Sequence, residues 1–226
     1  MTGQAAHGEP GVLVVLEGID RSGRSTHAAL LEAHLRYQGR AVTRTSLGTA
    51  QVAGPPIRRA RSSDPADPAA LALLYAADLA ERIDQVVLPA LRAGLVVLAD
   101  RYCWTPMARA LVRGGDPGWL ETVFAFAPAP DLVVWLDVDV ETSLQRRDRD
   151  PDAFEAGLDL GLSDDLRTSY AIYQSRLAEA FARFAADGGF RRLDAGRPPM
   201  VVEPELEAIV DAVVDRRRAG RPPGVA

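Results

Sequence analysis

The chain has 226 residues, of which 47% are hydrophobic and 25% charged, and this length and balance are typical of one globular α/β domain. The formal net charge of -5 argues against nucleic acid as the main partner. No apolar run approaches the ~20 residues of a membrane span, and the single cysteine, Cys103, excludes an internal disulfide and a zinc site of several cysteines. We therefore expect a cytoplasmic protein without a membrane or nucleic-acid partner.

The first ten residues have neither the basic start nor the apolar core of a secretory signal, so residues 1–10 are predicted to be a disordered leader. The sequence from residue 11 onward contains no internal repeat and no linker. We predict one domain over residues 11–217 and a disordered tail over residues 218–226.

A glycine-bounded loop comes after the first predicted strand, the apolar run Val12–Leu16, and precedes a predicted helix. The spacing from Gly18 to Gly23 to Ser25 fits the phosphate-binding pattern G-x-x-x-x-G-K-[ST], with Arg24 at the lysine position. Glycines let backbone N–H groups turn inward around phosphate oxygens, and the helix N-terminus adds further donors. The hydroxyl of Ser25 can bind Mg²⁺. This pattern predicts phosphate binding, and an ordinary strand-to-helix turn is the alternative.

The arginine at the lysine position has two explanations. All 26 residues counted as Lys+Arg are arginine, and asparagine is absent as well, which suggests a GC-rich coding sequence in which the lysine drifted to arginine. The other explanation is a changed role, because a planar guanidinium presents its charge differently from a compact ammonium.

Strands and helices are predicted to alternate along the rest of the chain, which favours a parallel sheet covered on both faces. The further predicted strands are Ala41–Thr45, Leu95–Ala99, Leu132–Leu136 and Phe190–Leu193. The predicted helices cover about 24–38, 66–93 with a break or kink at Pro89, Glu141–Arg147, Asp164–Asp187 and Val202–Arg217. The segments Ser46–Pro56 and Asp148–Leu162 are predicted to be loops.

Polar residues lie at the ends of the predicted strands, at the edge where parallel sheets bind ligands. Asp100, Arg101 and Tyr102 come directly after one strand, and Arg44 lies one residue before the end of another. Asp100 could hold Mg²⁺ through water or orient an acceptor group, and Arg101 could bind an acceptor phosphate. The alternative is an ordinary helix N-cap with a surface arginine after it.

Six segments of the chain occur in the order and at the spacing found in one enzyme family. They are Leu16–Thr26, Leu73–Asp78, Val87–Leu91, Asp100–Tyr102, Pro130–Val138 and Phe154–Asp159. From about Val12 to Asp194 the chain thus resembles the thymidylate kinases. The resemblance implies a P-loop NTPase-type three-layer α/β sandwich with a five-stranded parallel sheet and a lid segment at about 148–162. It also implies transfer of the ATP γ-phosphoryl group to a nucleoside monophosphate with Mg²⁺, by a homodimer.

The resemblance also implies roles for individual residues. The loop that binds the donor phosphates would consist of Gly18, Arg21, Ser22, Gly23, Arg24, Ser25 and Thr26. Catalytic roles fall to Arg24, Arg21, Asp20, Asp100 and Arg101, and the metal to Ser25 and Asp100. The acceptor would contact Asp20, Arg44, Tyr75, Arg101 and Arg109, and the lid would supply Arg146, Arg147 and Arg149. Core packing is the alternative for Tyr75, and a solvated charge run is the alternative for the lid arginines.

The chain departs from the family pattern mainly where the base is read. Arg44–Thr49 lacks the acid and the proline of the corresponding family loop. Leu79 stands where the family has an arginine that contacts thymine, and Arg109 with Ala110 replaces a Tyr-Gln pair. When a polar side chain that contacts the base is lost, its hydrogen-bond partners are left unpaired. The preference for one substrate over another can therefore shift by orders of magnitude.

We therefore expect phosphoryl transfer to a nucleoside monophosphate or a related phosphorylated small molecule, with altered base recognition. Thymidine monophosphate itself stays open as the acceptor, because Asp20, Tyr75 and Arg101 are compatible with it. The alternative is a catalytically weak or inactive nucleotide-binding regulatory relative.

Overall fold

The structure is a computed structural model that describes residues 11–62 and 67–220. The predicted leader over residues 1–10 and residues 221–226 of the predicted tail lie outside the described residues. The first residue of that tail, Arg218, instead ends the last helix. In the described ranges, no helix combines the length and the apolar character needed to cross a bilayer.

Five parallel strands form a single sheet in the order β2-β3-β1-β4-β5. They are β1 Val12–Glu17, β2 Val42–Ser46, β3 Val96–Asp100, β4 Leu132–Asp137 and β5 Arg191–Asp194. Every residue of β1 is buried, as expected for the central strand of a sheet covered on both faces. The predicted α/β fold with a five-stranded parallel sheet is confirmed.

The described chain also contains ten α-helices, one π-helical segment and one 3-10 segment, which are joined by loops and turns. The helices are α1 Arg24–Tyr37, α2 Gly54–Ser62, α3 Pro68–Arg82, α4 Leu88–Arg92, α5 Trp104–Val112, α6 Pro117–Phe124, α7 Val140–Gln145, α8 Ala153–Ala156, α9 Leu166–Gly188 and α10 Pro199–Arg218. The π-helical segment is Ile83–Val87, and the 3-10 segment is Leu158–Leu160.

Alternation along β1 divides the core into two layers. Leu13 and Val15 pack on the side of α3 and α5, whereas Val12, Val14 and Leu16 pack on the side of α1 and α10. This period of two results from strand geometry and places helices on both faces of the sheet. The functional consequence is that the carboxyl ends of β1, β2, β3 and β4 open at one edge of a rigid sheet.

Two predicted loops contain helices. The segment predicted as a loop over Ser46–Pro56 overlaps the first turn of α2. Two prolines are compatible with that turn, because the first N–H groups of a helix have no partner within the helix. The segment Asp148–Leu162 contains α8, which Asp152 and Glu155 close with a capping box, and a 3-10 turn. The predicted helix over 66–93 is a continuous helical run from Pro68 to Arg92, in which the π-helical segment Ile83–Val87 comes directly before the turn that contains Pro89.

Candidate active site

Both glycines of the loop between β1 and α1 have positive φ. Gly18 and Gly23 have φ of 148° and 92°, where side chains are disfavoured. A Cβ on Gly18 would lie 2.5 Å from the carbonyl oxygen of Leu136. Gly23 precedes the first turn of α1, which receives no side-chain cap from the described residues. Its backbone N–H groups and the positive end of the helix dipole can therefore serve an anion.

Arg24 folds back inside this loop and is 7% exposed. Its Nη1 donates to the carbonyl oxygens of Gly18 and Ile19, both at 2.5 Å, and to Ser22 Oγ at 2.9 Å. Its Nε lies 3.3 Å from Asp100 Oδ1. Burial, together with the positive charge of Arg101, lowers the pKa of Arg24 to about 10, so the guanidinium stays charged at neutral pH. The charge is thus held by the loop and by Asp100.

Ser25 and Asp100 meet as predicted, because β1 and β3 are neighbours in the sheet. Ser25 Oγ donates to Asp100 Oδ2 at 2.5 Å. Hydroxyl and carboxylate oxygens are the ligands that Mg²⁺ takes, usually with waters and substrate phosphates completing its shell. No cluster of three or more His, Cys, Asp or Glu side chains with metal-ligand geometry occurs among the described residues. Ser25 and Asp100 thus offer two oxygen ligands, and the remaining ligands of an ion would come from water or substrate.

Asp20 lies at the centre of a cluster of guanidinium groups. Arg101 Nη2 donates to Asp20 Oδ1 at 2.5 Å, while Arg109 and Arg24 lie 3.7 and 4.0 Å from the same oxygen. Gln174 Nε2 donates to Oδ2 at 3.1 Å. Burial raises the pKa of Asp20, but the three arginines outweigh burial and hold that pKa well below its ordinary value. Asp20 is therefore ionised and fixes Arg101 at the end of β3.

Two of the predicted site residues have backbone conformations that non-glycine residues rarely adopt. Arg21 has φ 59° and Arg101 has φ 72°, and they are the described non-glycine residues with positive φ. Such conformations persist where the surroundings enforce them, and they cluster at functional sites. At position 101, the hydrogen bond from the backbone N–H to the carbonyl of Leu16 holds the chain after β3 against β1.

A cavity of about 340 Å³ opens beside Asp20, Ser25 and Asp100. Tyr75 lines it and is 2% exposed, so it both packs in the core and forms a wall of the cavity. Arg109 Nη1 donates to the Tyr75 hydroxyl at 3.0 Å. The remaining lining residues are Arg24, Ser46, Leu47, Gly48, Ile57, Arg58, Arg61, Arg101, Arg109 and Glu155. Its volume lies in the range of sites for small molecules.

Arg44 lies on a different side of the sheet from this cavity. Its Nε forms an ion pair with Glu32 of α1 at 2.5 Å, and it lines a second cavity of about 510 Å³ on the β2 side, to which Ser25 and Asp100 also contribute. Arg44 pairs with Leu98 in the sheet and points toward α1, whereas Thr45 on the other face accepts from Arg82 of α3, and neither residue lines the smaller cavity. The structure therefore does not bring Arg44 together with Tyr75, Arg101 and Arg109.

The predicted lid arginines have three different sets of partners. Arg146 donates to the carbonyls of residues 195–197 after β5, at 2.8 to 3.5 Å. Arg147 pairs with Glu155 at 2.6 Å and lies 4.9 Å from the ring centroid of Tyr170. Arg149 lies 3.5 Å from Glu155. These contacts tie the segment after α7 to α8, α9 and the turn after β5.

Several residues at the site were not predicted from the sequence. Glu155 and Gln174 reach it from α8 and α9, and Arg58 and Arg61 reach it from α2. Asp78 is fully buried and accepts the backbone N–H groups of residues 48 and 50, which shapes the loop after β2. The sequence does show two features that could have indicated these residues: the basic run over 58–61, and Glu155 within the family-like segment Phe154–Asp159. Their positions depend on helices that lie in segments whose sequence is typical of loops.

Comparisons with known proteins agree with this geometry. Residues 16–199 match the family described as thymidylate kinase. The chain is 36% identical over 213 residues to a thymidylate kinase of Leifsonia xyli, covering 91% of this chain and 97% of the relative. It is 30% identical over 209 residues to probable thymidylate kinase 2 of Saccharolobus solfataricus, covering 91% and 98%, and 42% identical over 142 residues to a probable thymidylate kinase of Pyrococcus horikoshii, covering 60% and 69%. The chain belongs to the thymidylate kinase family, whose members are nucleoside-monophosphate kinases.

Proposed function

We propose that this protein transfers the γ-phosphoryl group of ATP, the donor that the family implies, to a nucleoside monophosphate. The observation that carries the proposal is the juxtaposition of the loop at Gly18–Thr26 with Asp100 and Arg101. Leu16 pairs with Asp100 in the sheet, so a donor on the loop and an acceptor beside Arg101 share one crevice. An anion-binding helix terminus and an acceptor cavity therefore meet at the same edge.

The transfer requires positioning and charge more than covalent chemistry. An oxygen of the acceptor phosphate forms a bond to the γ-phosphorus as the bond from that phosphorus to the bridging oxygen of ADP breaks. Backbone N–H groups at Gly23 and in the first turn of α1 bind the donor phosphates. Arg21 supplies positive charge from the loop surface, and Arg101, fixed by Asp20, holds the acceptor phosphate.

Mg²⁺ fits the donor set of Ser25 and Asp100. Asp100 Oδ2 and Ser25 Oγ are adjacent oxygens beside the loop, while Arg24 occupies the other carboxylate oxygen. When bound there, the ion would neutralise charge on the phosphate oxygens. Within the proposal, Ser25 and Asp100 hold the metal, and Arg24 keeps the carboxylate oriented toward it.

Base recognition in this proposal differs from that of the family. Leu79, at the position of the thymine-contacting arginine, is fully buried in the core beside Tyr75. Arg109 occupies the cavity wall where the family pattern has a neutral pair. The described lining residues therefore include neither an arginine at position 79 nor the neutral Tyr-Gln pair of the family pattern. The acceptor we propose is thus a monophosphate other than thymidine monophosphate.

Loss of catalysis is the second candidate, and the position of Arg24 favours it. Its Nη1 and Nε donors are directed at loop carbonyls, Ser22 and Asp100 rather than into the space above the loop. A loop of this kind could bind a nucleotide without moving its γ-phosphoryl group. In that case the protein would act as a nucleotide-binding regulatory relative.

A phosphoryl-transfer screen distinguishes these candidates. The full chain is incubated with ATP, Mg²⁺ and a panel of nucleoside monophosphates that includes thymidine monophosphate, and ADP formation is measured. We expect turnover with at least one acceptor and a lower kcat/KM for thymidine monophosphate. Saturable ATP binding without turnover on any acceptor would establish the second candidate. A highest kcat/KM for thymidine monophosphate would contradict the altered base recognition.

A homodimer, a cytoplasmic location and the absence of a nucleic-acid or membrane partner remain predictions. The same holds for the single-domain boundary at residues 11–217 and for the lid at about 148–162.

A further inference from the structure

The acceptor cavity contains more positive than negative side chains. Its described lining has five arginines and three carboxylates. The arginines are Arg24, Arg58, Arg61, Arg101 and Arg109, and the carboxylates are Asp20, Asp100 and Glu155. A cavity that binds only a neutral base does not need this excess of positive charge. The positions of arginines without a carboxylate partner therefore indicate what else the cavity binds.

Each cation at the loop end of the cavity has a carboxylate of the cavity lining as a partner. Arg101, Arg109 and Arg24 lie within 4.0 Å of Asp20, and Arg24 also pairs with Asp100. Glu155 is matched as well, by Arg147 and Arg149 of the lid segment. The two remaining arginines, which lie one helical turn apart on α2, form no ion pair with a carboxylate of the described lining.

Arg58 and Arg61 have weak partners among the described residues. Arg58 donates one long hydrogen bond, of 3.5 Å, to the carbonyl oxygen of Gly48. Arg61 lies 3.9 Å from Asp152, and its Nε is buried without a hydrogen-bond partner within the described part of the chain. A buried donor without a partner costs free energy, and an anion in the cavity would remove that cost.

Packing fixes one of these guanidinium groups at the cavity wall. The guanidinium carbon of Arg61 lies 4.8 Å from the ring centroid of Phe154, and that of Arg109 lies 5.3 Å from the same centroid. Stacking on an aromatic ring orients a guanidinium while leaving its edge free for hydrogen bonds. A guanidinium edge is a donor-only fork that matches a carboxylate or a phosphate.

We propose that the acceptor carries a second anionic group, a carboxylate or a phosphate, which Arg58 and Arg61 bind at the α2 end of the cavity. The inference rests on the proposed phosphoryl transfer and adds the chemical class of its acceptor. Its first anion, the phosphate that receives the phosphoryl group, lies beside Arg101. The second anion replaces the neutral base edge as the feature that the cavity recognises.

The test compares three acceptors that differ by one group. They are thymidine 5′-monophosphate, 5-carboxy-2′-deoxyuridine 5′-monophosphate and thymidine 3′,5′-bisphosphate. The second compound carries a carboxylate in place of the thymine methyl group, and the third carries a phosphate on the sugar. We expect kcat/KM for at least one anionic compound to exceed that for thymidine 5′-monophosphate by about 10-fold or more, with the preference declining as salt is added. The better compound identifies the anion and its position.

Matched variants test whether the α2 arginines of the cavity cause the preference for anionic acceptors. Arg58→Gln and Arg61→Gln should each reduce it several-fold, whereas Arg59→Gln makes the same charge change on the same helix outside the described cavity lining and should preserve it. Thermal unfolding of each variant checks that it is folded. Equal preference in the Arg61→Gln and Arg59→Gln variants would overturn the inference.

Binding of the three compounds to the wild-type chain, measured by calorimetry, separates this inference from the proposed function. Tighter binding of an anionic compound without any turnover supports the second anion site while rejecting the kinase proposal. Turnover on thymidine 5′-monophosphate with no gain in binding or kcat/KM for either anionic compound supports the kinase proposal and rejects the second anion site.

Discussion

The guanidinium of Arg24 takes the place of an ammonium and directs its donors at the protein itself. Carbonyls of Gly18 and Ile19 and the carboxylate of Asp100 surround it, so its charge is fixed beneath the loop. Arg21, whose side chain is 35% exposed and whose ion pair with Asp148 spans 3.7 Å, is the cation left at the loop surface. We infer that Arg24 positions the loop and its acid, while Arg21 faces the phosphates.

Replacing Arg24 by alanine should therefore affect turnover much more than folding. We expect Arg24→Ala to lower kcat by about 100-fold or more, because both the loop and Asp100 lose their orientation, and to cost only about 1–3 kcal/mol in unfolding free energy. Steady-state kinetics and urea unfolding measure the two effects. Arg36→Ala, at an exposed ion pair of the same helix, is the control. Unchanged turnover in Arg24→Ala would remove Arg24 from the active site.

At the scale of elements, the segment predicted to be a lid contains more helix than its sequence indicates. A four-residue helix is too short to be stable alone, but α8 has a capping box at its start and Gly157 at its end. Gly157 has φ 64°, and a Cβ there would lie 2.7 Å from Cγ of Tyr173 on α9. The glycine therefore permits both the left-handed turn and close packing of the lid against α9.

Two glycines of the predicted lid distinguish the cost of backbone strain from the cost of a clash with α9. Gly161 has φ 59° with no atom near its Cβ position, whereas Gly157 has a similar φ and the contact with Tyr173. We expect Gly161→Ala to cost about 1 kcal/mol from backbone strain alone. Gly157→Ala should cost at least about 1 kcal/mol more, because the ring must move. Urea unfolding of both variants checks this, and equal costs would show that the contact does not restrain the lid.

At the scale of the whole molecule, the pH dependence of unfolding should report the charge cluster around Asp20. Its pKa in the folded state lies well below the ordinary value of about 3.9, so its contribution to stability is present above that pH and is lost as the pH falls. Asp20→Asn should cost about 3 kcal/mol near neutral pH, because three arginines lose their counter-charge.

The difference between the wild-type chain and Asp20→Asn should then narrow as the pH falls from about 6 to about 3, as urea unfolding at each pH measures. Asp187→Asn, at an exposed carboxylate of α9, serves as the control. A difference that is constant over this pH range would mean that Asp20 is not held ionised by its neighbours.

Local patterns explain why much of this molecule could be predicted from the sequence. Buried apolar runs and the glycine spacing of the loop predicted β1, α1 and the meeting of Ser25 with Asp100, because parallel strands end at one edge. The inward position of Arg24 could not be predicted, since it depends on where the carbonyls of Gly18 and Ile19 point. The two arginines of α2 were missed because prolines in a first helical turn resemble a loop.

Arg44 shows a different limit of sequence reasoning. Its place near the end of a strand was predicted, and the strand exists, but the face on which the side chain lies was not predicted. Because successive strand residues point to opposite faces, the register of β2 places Arg44 beside Glu32 of α1, while the next residue, Thr45, faces Arg82 of α3. Only the packed sheet and α1 fix that face.

The central position of β1 also sets the order in which the chain can fold during synthesis. Val14 pairs with Leu132, 118 residues later, so at typical ribosomal speeds β1 waits roughly 6–24 s for its second neighbour. Throughout that interval a fully buried strand of the final fold has an open edge on which a nascent chain can misassociate. Slowing translation before β4 should therefore lower the yield of folded protein, whereas a delay after residue 137, when both neighbours of β1 exist, should be tolerated.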